Sequence, residues 1–349
     1  MDKALRIFVM PSIELVEFRM RAEVLHRLAP IEQKPLIDEI VPDPLLGSRD
    51  VLIRVKACGV CHSNLSMIEG EWSHLGYPGK LPIIPGHEIS GVIDKVGEDV
   101  GTWTVGQRVG VQVLLDSCRT CEYCLSGREN LCGKLKSTGE NTDGGFAEFI
   151  AAPGDYIYAI PDNLGFEEAA PLFCPGVTAY RAVKRAGITL GQSVAILGIG
   201  GVGSMSLQFA RLSGGEVTAI DMTKDKLDFA LELGAENAVL ASDADKLGEF
   251  DVVMIRTPSQ KAIDQAVKLV KRGGTILQAV FGNVFINFDR EYTVRTSVIG
   301  PRIDMLEMLK IAGKGKIKVK WKAYKLNEAN EVLLKMKKGE IVGRAVLVP

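Results

Sequence analysis

Residues 193–221 (SVAILGIGGVGSMSLQFARLSGGEVTAID) constrain this chain more than any other stretch, because they spell a complete supersecondary unit. A short apolar run, Val194 to Leu197, has the length of a buried strand and breaks at Gly198-Ile199-Gly200-Gly201-Val202-Gly203. That is the spacing G-x-G-x-x-G. Gly198 permits the turn, Gly200 lets the backbone approach a pyrophosphate, and Gly203 lets helix and strand pack closely. The helix that follows offers free N–H groups and the positive end of its dipole to an anion, with Gly201 and Val202 in its first turn. A second strand over 217–220 ends at Asp221, where a carboxylate meets the ribose diol of an adenosine. The acid favours NAD over NADP, whose 2′-phosphate it would repel.

The rest of the chain bounds the setting of this unit. Its 349 residues are enough for two domains and a substantial core. A net charge of -1 gives no electrostatic footprint for a nucleic acid. No apolar run reaches the roughly 18 residues a bilayer span requires. The N-terminus lacks the pattern of a secretion signal, so the seven cysteines are expected reduced, in a cytoplasm, and free to bind metal. Residues 1–19 read as an N-terminal extension ahead of a natural domain start at Met20.

From Val24 to about Ile160 the chain is rich in β-branched residues, glycine and proline, which predicts a small, mostly antiparallel β domain. Two constellations interrupt it. Cys118-x2-Cys121-x2-Cys124-x7-Cys132 packs four thiols into one polar loop, which suits a closed tetrahedral zinc of the structural kind. Glu122 and Glu129 offset its two arginines, so it lacks the basic face of a nucleic-acid ribbon. The other constellation is dispersed. Cys61 and His87 are good ligands for a borderline metal, and the unassigned cysteine far down the chain is Cys174. Spacing alone leaves open whether these three meet. Cys58 forms C-x-x-C with Cys61, but that pair is read as closing a strand, with Cys58 a core residue. His26 and His74 lack ligand-like neighbours.

Beyond the glycine turn, α/β alternation continues. Helices are predicted over 224–233 and 259–271, and strands over 238–240, 251–255 and 275–280. Such alternation builds a doubly wound parallel sheet with right-handed crossovers. The tail holds helices over 303–311 and 327–337 and a strand over 345–348.

With these residues in view, the chain resembles the zinc-dependent alcohol dehydrogenases of the medium-chain dehydrogenase/reductase superfamily, archaeal and bacterial members above all. The motifs GVCHS, PGHE, the four-cysteine loop, DGGFAEF, CPGVTAY, GIGGVG and GRAVLVP occur in register from about Met20 to Pro349. The resemblance implies an α/β fold: a GroES-like β-rich catalytic domain over 20–175 and 301–349, and a Rossmann domain over 176–300. It implies that Cys61, His87 and Cys174 hold a catalytic zinc, with Glu88 behind the metal and able to take its open position. Cys118, Cys121, Cys124 and Cys132 fall on the structural zinc loop. Asp221 and Lys226 would hold the adenosine ribose, His62 and Arg344 the pyrophosphate, and Thr178 the nicotinamide region. Ser63 matches the hydroxyl that touches the substrate oxygen, and Trp72 a wall of the substrate pocket. A homotetramer or homodimer is also implied.

Two positions depart from the family pattern. Asn64 stands where an aspartate is usual, which leaves the second partner of His87 neutral. Ser66 replaces the histidine that ends the proton relay in many members. The activity expected is reversible hydride transfer between a primary or secondary alcohol and NAD+, giving an aldehyde or ketone. The alternatives are a zinc-free medium-chain reductase of enoyl thioesters or quinones, and a non-catalytic relative that keeps the cofactor site.

Overall fold

The computed structural model describes residues 19–349. All but the last residue of the expected extension therefore lies outside the described residues.

The chain begins with an antiparallel ribbon, β1 (Arg19–Leu25) and β2 (Leu36–Pro42). The long strand β3 (Asp50–Gly59) leads directly into helix α1 (His62–Ile68), and β4 (Glu88–Val96) and β5 (Arg108–Val111) follow. A short ribbon, β6 (Leu114–Asp116) with β7 (Lys136–Ser137), carries the four-cysteine loop and its single helical turn α2 (Glu122–Leu125) between its strands. Strands β8 (Phe149–Pro153) and β9 (Ile157–Ala159) return to the main sheet. Helices α3 (Phe166–Ala169) and α4 (Pro175–Ala186) then cross to the second sheet.

That sheet is parallel throughout. It comprises β10 (Ser193–Leu197), β11 (Glu216–Asp221), β12 (Asn237–Leu240), β13 (Phe250–Ile255), β14 (Val270–Gln278) and β15 (Thr293–Thr296), in the order 12-11-10-13-14-15. Helices α5 (Gly201–Leu212), α6 (Lys224–Glu232) and α7 (Gln260–Leu269) make the crossovers. Strand alternation divides the side chains between two cores. Val194, Ile196, Val252 and Met254 face α4 and α5, whereas Ala195, Leu197, Val253 and Ile255 face α7. Each large apolar side chain buried in this way contributes about 1.5–3 kcal/mol. After α8 (Arg302–Ala312), the chain returns to the first sheet through β16 (Trp321–Lys325), α9 (Ala329–Lys337) and β17 (Arg344–Val348). There β17 pairs antiparallel with β3, completing the order 16-17-3-4-5-9, with β8 on β3.

Three local expectations need correction. The helix read over 259–271 ends at Leu269, because Val270 is fully buried and opens β14 opposite Phe250. Tertiary pairing overrides the helical periodicity there. The strand read to 280 stops at Gln278, whose side-chain amide donates to the carbonyls of Val280 and Gly282 and folds the chain back. The C-x-x-C pair does not simply close a strand. Cys58 lies in β3, but Cys61 is the N-cap of α1. Among the described residues, no helix is long and apolar enough to cross a membrane.

Candidate active site

The dispersed constellation converges. The ligand atoms of Cys61, His87, Glu88 and Cys174 all lie within 4.8 Å of one another. The Cys61 and Cys174 sulfurs are 3.8 Å apart, in hydrogen-bond contact and without a disulfide. Each arrives for a local reason. Cys61 caps α1 at the end of β3, and its backbone N–H donates to Asn64 Oδ1 at 3.0 Å. His87 immediately precedes β4, the antiparallel neighbour of β3, and Glu88 opens it opposite Gly59. A Cβ at Gly59 would fall 2.0 Å from Glu88 Oε2 and 2.9 Å from Glu88 Cβ, so a larger residue there would displace the carboxylate. Cys174 follows Phe173, whose ring fills the space a Cβ on Gly110 of β5 would need, 2.0 Å away. The buried ring fixes the cysteine that comes after it.

The electrostatics are those of a site short of positive charge. A hydrogen bond from Cys174 and the neighbouring His87 hold the Cys61 thiol well below its usual range against the opposing effect of burial. That same hydrogen bond, with burial, pushes Cys174 well up. Burial opposes protonation of His87, yet the Cys61 thiolate with Glu140 and Glu88 raises it to about 9. Burial pushes Glu88 up to about 7 in spite of Arg344. One Glu88 oxygen is buried with no partner. Two sulfurs, an imidazole and a carboxylate oxygen around one point are the donor set of a borderline divalent cation, so the residues fit zinc.

Around this centre, Ser63 Oγ lies 3.3 Å from His87 Nε2. Asn64 Nδ2 is 3.4 Å from His87 Nδ1, and a carboxylate that the sequence did not flag, Glu140, is buried with Oε1 3.8 Å from the same nitrogen. Ser66 is buried in α1. His62, at the first position of α1, is exposed. Trp72 stacks edge-on with Phe281 from the loop after β14, with ring centroids 6.5 Å apart. Two further histidines lie outside the cluster: His26 has a carboxylate neighbour that the sequence reading did not give it, Glu39, and His74 donates to the Glu71 carbonyl.

The glycine turn sits at the end of β10. Gly198 has φ +98°, and a Cβ on Gly203 would lie 1.8 Å from the Gly198 carbonyl oxygen. Gly200 caps α5 with open space at its Cα. Asp221 is buried, accepting from the N–H groups of Ile199 at 2.6 Å and Met222 at 2.7 Å, with Lys226 Nζ 3.7 Å away. Thr178 Oγ1, on α4 one turn past Cys174, is buried without a partner. Arg344, the first residue of β17, joins the two halves. Its Nη2 donates to Glu88 Oε1 at 2.5 Å and to the Val60 carbonyl at 2.7 Å. Its Nη1 occupies the space that a Cβ on Gly201 would take, 2.2 Å away. One guanidinium thus touches both the carboxylate of the metal-type cluster and the turn that opens α5.

In the four-cysteine loop, the ligand sulfurs of Cys118, Cys121, Cys124 and Cys132 also lie within 4.8 Å of one another. Backbone N–H groups of Cys121 and Lys134 point at Cys118 and Cys132 sulfurs at 3.3 and 3.4 Å. Hydrogen bonds from the Thr120 and Cys121 backbone bring Cys118 down to about 5. Four thiols with N–H donors around them fit a closed zinc site.

Comparison with known proteins agrees with this geometry. Residues 47–162 match the family model of the alcohol dehydrogenase GroES-like domain, and residues 201–310 that of the zinc-binding dehydrogenases. The chain is 40% identical over 336 residues to an alcohol dehydrogenase of Geobacillus stearothermophilus, covering 92% of this chain and 99% of that one. The chain belongs to the zinc-dependent alcohol dehydrogenases of the medium-chain superfamily. Its fold is similar to that of the alcohol dehydrogenase from the hyperthermophilic archaeon Aeropyrum pernix, with a TM-score of 0.87 and 33% identity over 94% of this chain and all of that one. An NAD-dependent alcohol dehydrogenase also matches, with a TM-score of 0.87 and 28% identity over 95% of this chain and all of that one. Family and fold together make the chain an oxidoreductase that uses zinc and NAD(H) on a small-molecule substrate.

Proposed function

We propose that the chain catalyses reversible oxidation of a primary or secondary alcohol to the aldehyde or ketone, with NAD+ as hydride acceptor. The single observation that carries this reading is the contact through Arg344, which sets the Cys61–His87–Glu88–Cys174 cluster beside the glycine turn. Cys61, His87 and Cys174 would hold the catalytic zinc, with Glu88 in reserve, and Cys118, Cys121, Cys124 and Cys132 the structural one. When bound, zinc supplies the Lewis acidity that brings an alcohol's pKa toward neutrality, and NAD+ supplies the hydride acceptor.

The chain's own groups do the rest. Ser63 Oγ takes the hydroxyl proton and hands it toward the cofactor ribose. Since Ser66 replaces a relay histidine, the proton then leaves through water or another group. Asp221 and Lys226 orient the adenosine ribose, Gly198, Gly200, Gly201, Val202 and Gly203 receive the pyrophosphate with His62 and Arg344, and Thr178 steers the nicotinamide. Trp72 would wall the substrate pocket, beside Phe281. Residues 20–175 with 301–349 would act as the catalytic domain and 176–300 as the cofactor domain, in a cytoplasmic homotetramer or homodimer.

Mixing the purified protein with NADH and a panel of aldehydes and ketones, and following loss of NADH absorbance, tests the activity. Metal analysis should return two zincs per chain. One zinc or none, with carbonyl reduction absent and enoyl-thioester or quinone reduction present, would favour a zinc-free reductase. Two zincs with no turnover of any substrate would favour a binding relative.

A further inference from the structure

One cation beside the glycine turn is left without a counterpart. Arg256 follows the last residue of β13, and its backbone N–H still donates to the Leu197 carbonyl of β10 at 2.8 Å. The alternation that sends Val252 and Met254 toward α4 and α5 sends residue 256 the same way. Its neighbours confirm that direction. A Cβ on Gly203, in the first turn of α5, would sit 3.7 Å from Arg256 Cβ, and one on Gly198 would sit 3.2 Å from the Arg256 carbonyl carbon. The guanidinium stem therefore starts against the glycine turn itself.

At its far end, Nε, Nη1 and Nη2 are all out of solvent, and none has a hydrogen-bond partner. Burial alone, unrelieved by any neighbouring acid, pushes the group down to about 9. A buried guanidinium with five unsatisfied donors is costly to the fold, and such a cost persists where an anion from outside relieves it. The first intrahelical bond of α5 is made by Ser204 N–H to Gly200, so the N–H groups before it are free for the same anion. Arg344 also reaches this turn, but its charge is already shared with Glu88. Arg256 is the arginine here with charge to spare.

We propose that Arg256 is a cofactor-binding residue that pairs with the pyrophosphate oxygens of the dinucleotide at the mouth of the glycine turn. This rests on the dinucleotide reading above. The test uses zinc-replete protein and measures binding of NADH, ADP-ribose and adenosine by isothermal titration, for the unaltered chain, Arg256→Gln and Arg256→Lys. We expect Arg256→Gln to weaken NADH and ADP-ribose about ten- to a hundredfold, the range of a charge-assisted hydrogen bond, and to leave adenosine unchanged. Arg256→Lys should recover part of the loss. Removing an unpaired buried charge should also raise the thermal midpoint of the cofactor-free Arg256→Gln protein. Undiminished NADH binding by Arg256→Gln, or adenosine weakened as much as ADP-ribose, would overturn the assignment. Failure of the unaltered chain to bind NADH would strike the dinucleotide reading instead.

Discussion

The two cysteine clusters of this chain are built from similar ligands by opposite means. The loop over 118–132 gathers four thiols within 15 residues, at a half-exposed edge, and satisfies them with its own backbone N–H groups. The cluster of Cys61, His87, Glu88 and Cys174 draws on the cap of α1, the head of β4 and a segment far down the chain, is largely buried, and keeps a carboxylate oxygen unsatisfied. A self-contained loop can only stiffen what surrounds it. A cluster assembled from distant elements, with one donor uncommitted, can change its contacts when a substrate arrives.

The sharpest way to break this contrast is Cys174→Ser. Turnover of alcohol should fall about a thousandfold or more, while the thermal midpoint barely moves. Retained turnover in a sample verified by metal analysis would end the catalytic assignment. Cys124→Ser should do the reverse, lowering the thermal midpoint by roughly 10 °C and leaving turnover per folded molecule near normal at low temperature. If turnover vanished while the circular dichroism stayed native, the loop would not be merely structural. A smaller effect is expected of Glu140→Gln. Loss of the acceptor facing His87 Nδ1 should speed removal of the catalytic zinc by a chelator about ten- to a hundredfold, without touching the loop zinc. Equal rates for the two sites would contradict it. A pH effect is expected too, on reloading metal-free protein. Because His87 is raised to about 9 and the Cys174 thiol is pushed well up, both are protonated below that pH, and zinc must displace two protons to bind. Affinity at that site should fall about a hundredfold for each pH unit below it. A slope of only about tenfold per pH unit would mean that His87 or Cys174 gives up no proton and is not a ligand.

The contrast also explains what could be read before any coordinates. Four cysteines in one short loop announce themselves, and so does a glycine turn whose strand, helix and acid are contiguous. The parallel, doubly wound half of the fold followed from that contiguity, and the GroES-like half from the family resemblance. Convergence of Cys61, His87 and Cys174 did not, because nothing local ties 174 to 61; only the family resemblance supplied it. Glu140 and Arg256 were invisible for a related reason. Each is one charged residue in an ordinary stretch, and each matters through what the sheets bring opposite it. Asn64 was noticed as a loss of charge, but the carboxylate near His87 that accompanies it comes from a loop 76 positions later. The misplaced helix end at Val270 has the same origin, since a partner strand decided it.

The pairing of β17 with β3 has a consequence for biosynthesis. Every strand of the parallel sheet lies between 193 and 296, so that half can close as soon as it leaves the ribosome. The antiparallel half begins earlier yet waits for 321–348 before its last two strands arrive. Nascent chains arrested before that point should present a protease-resistant cofactor half beside an open, cleavable edge of β3.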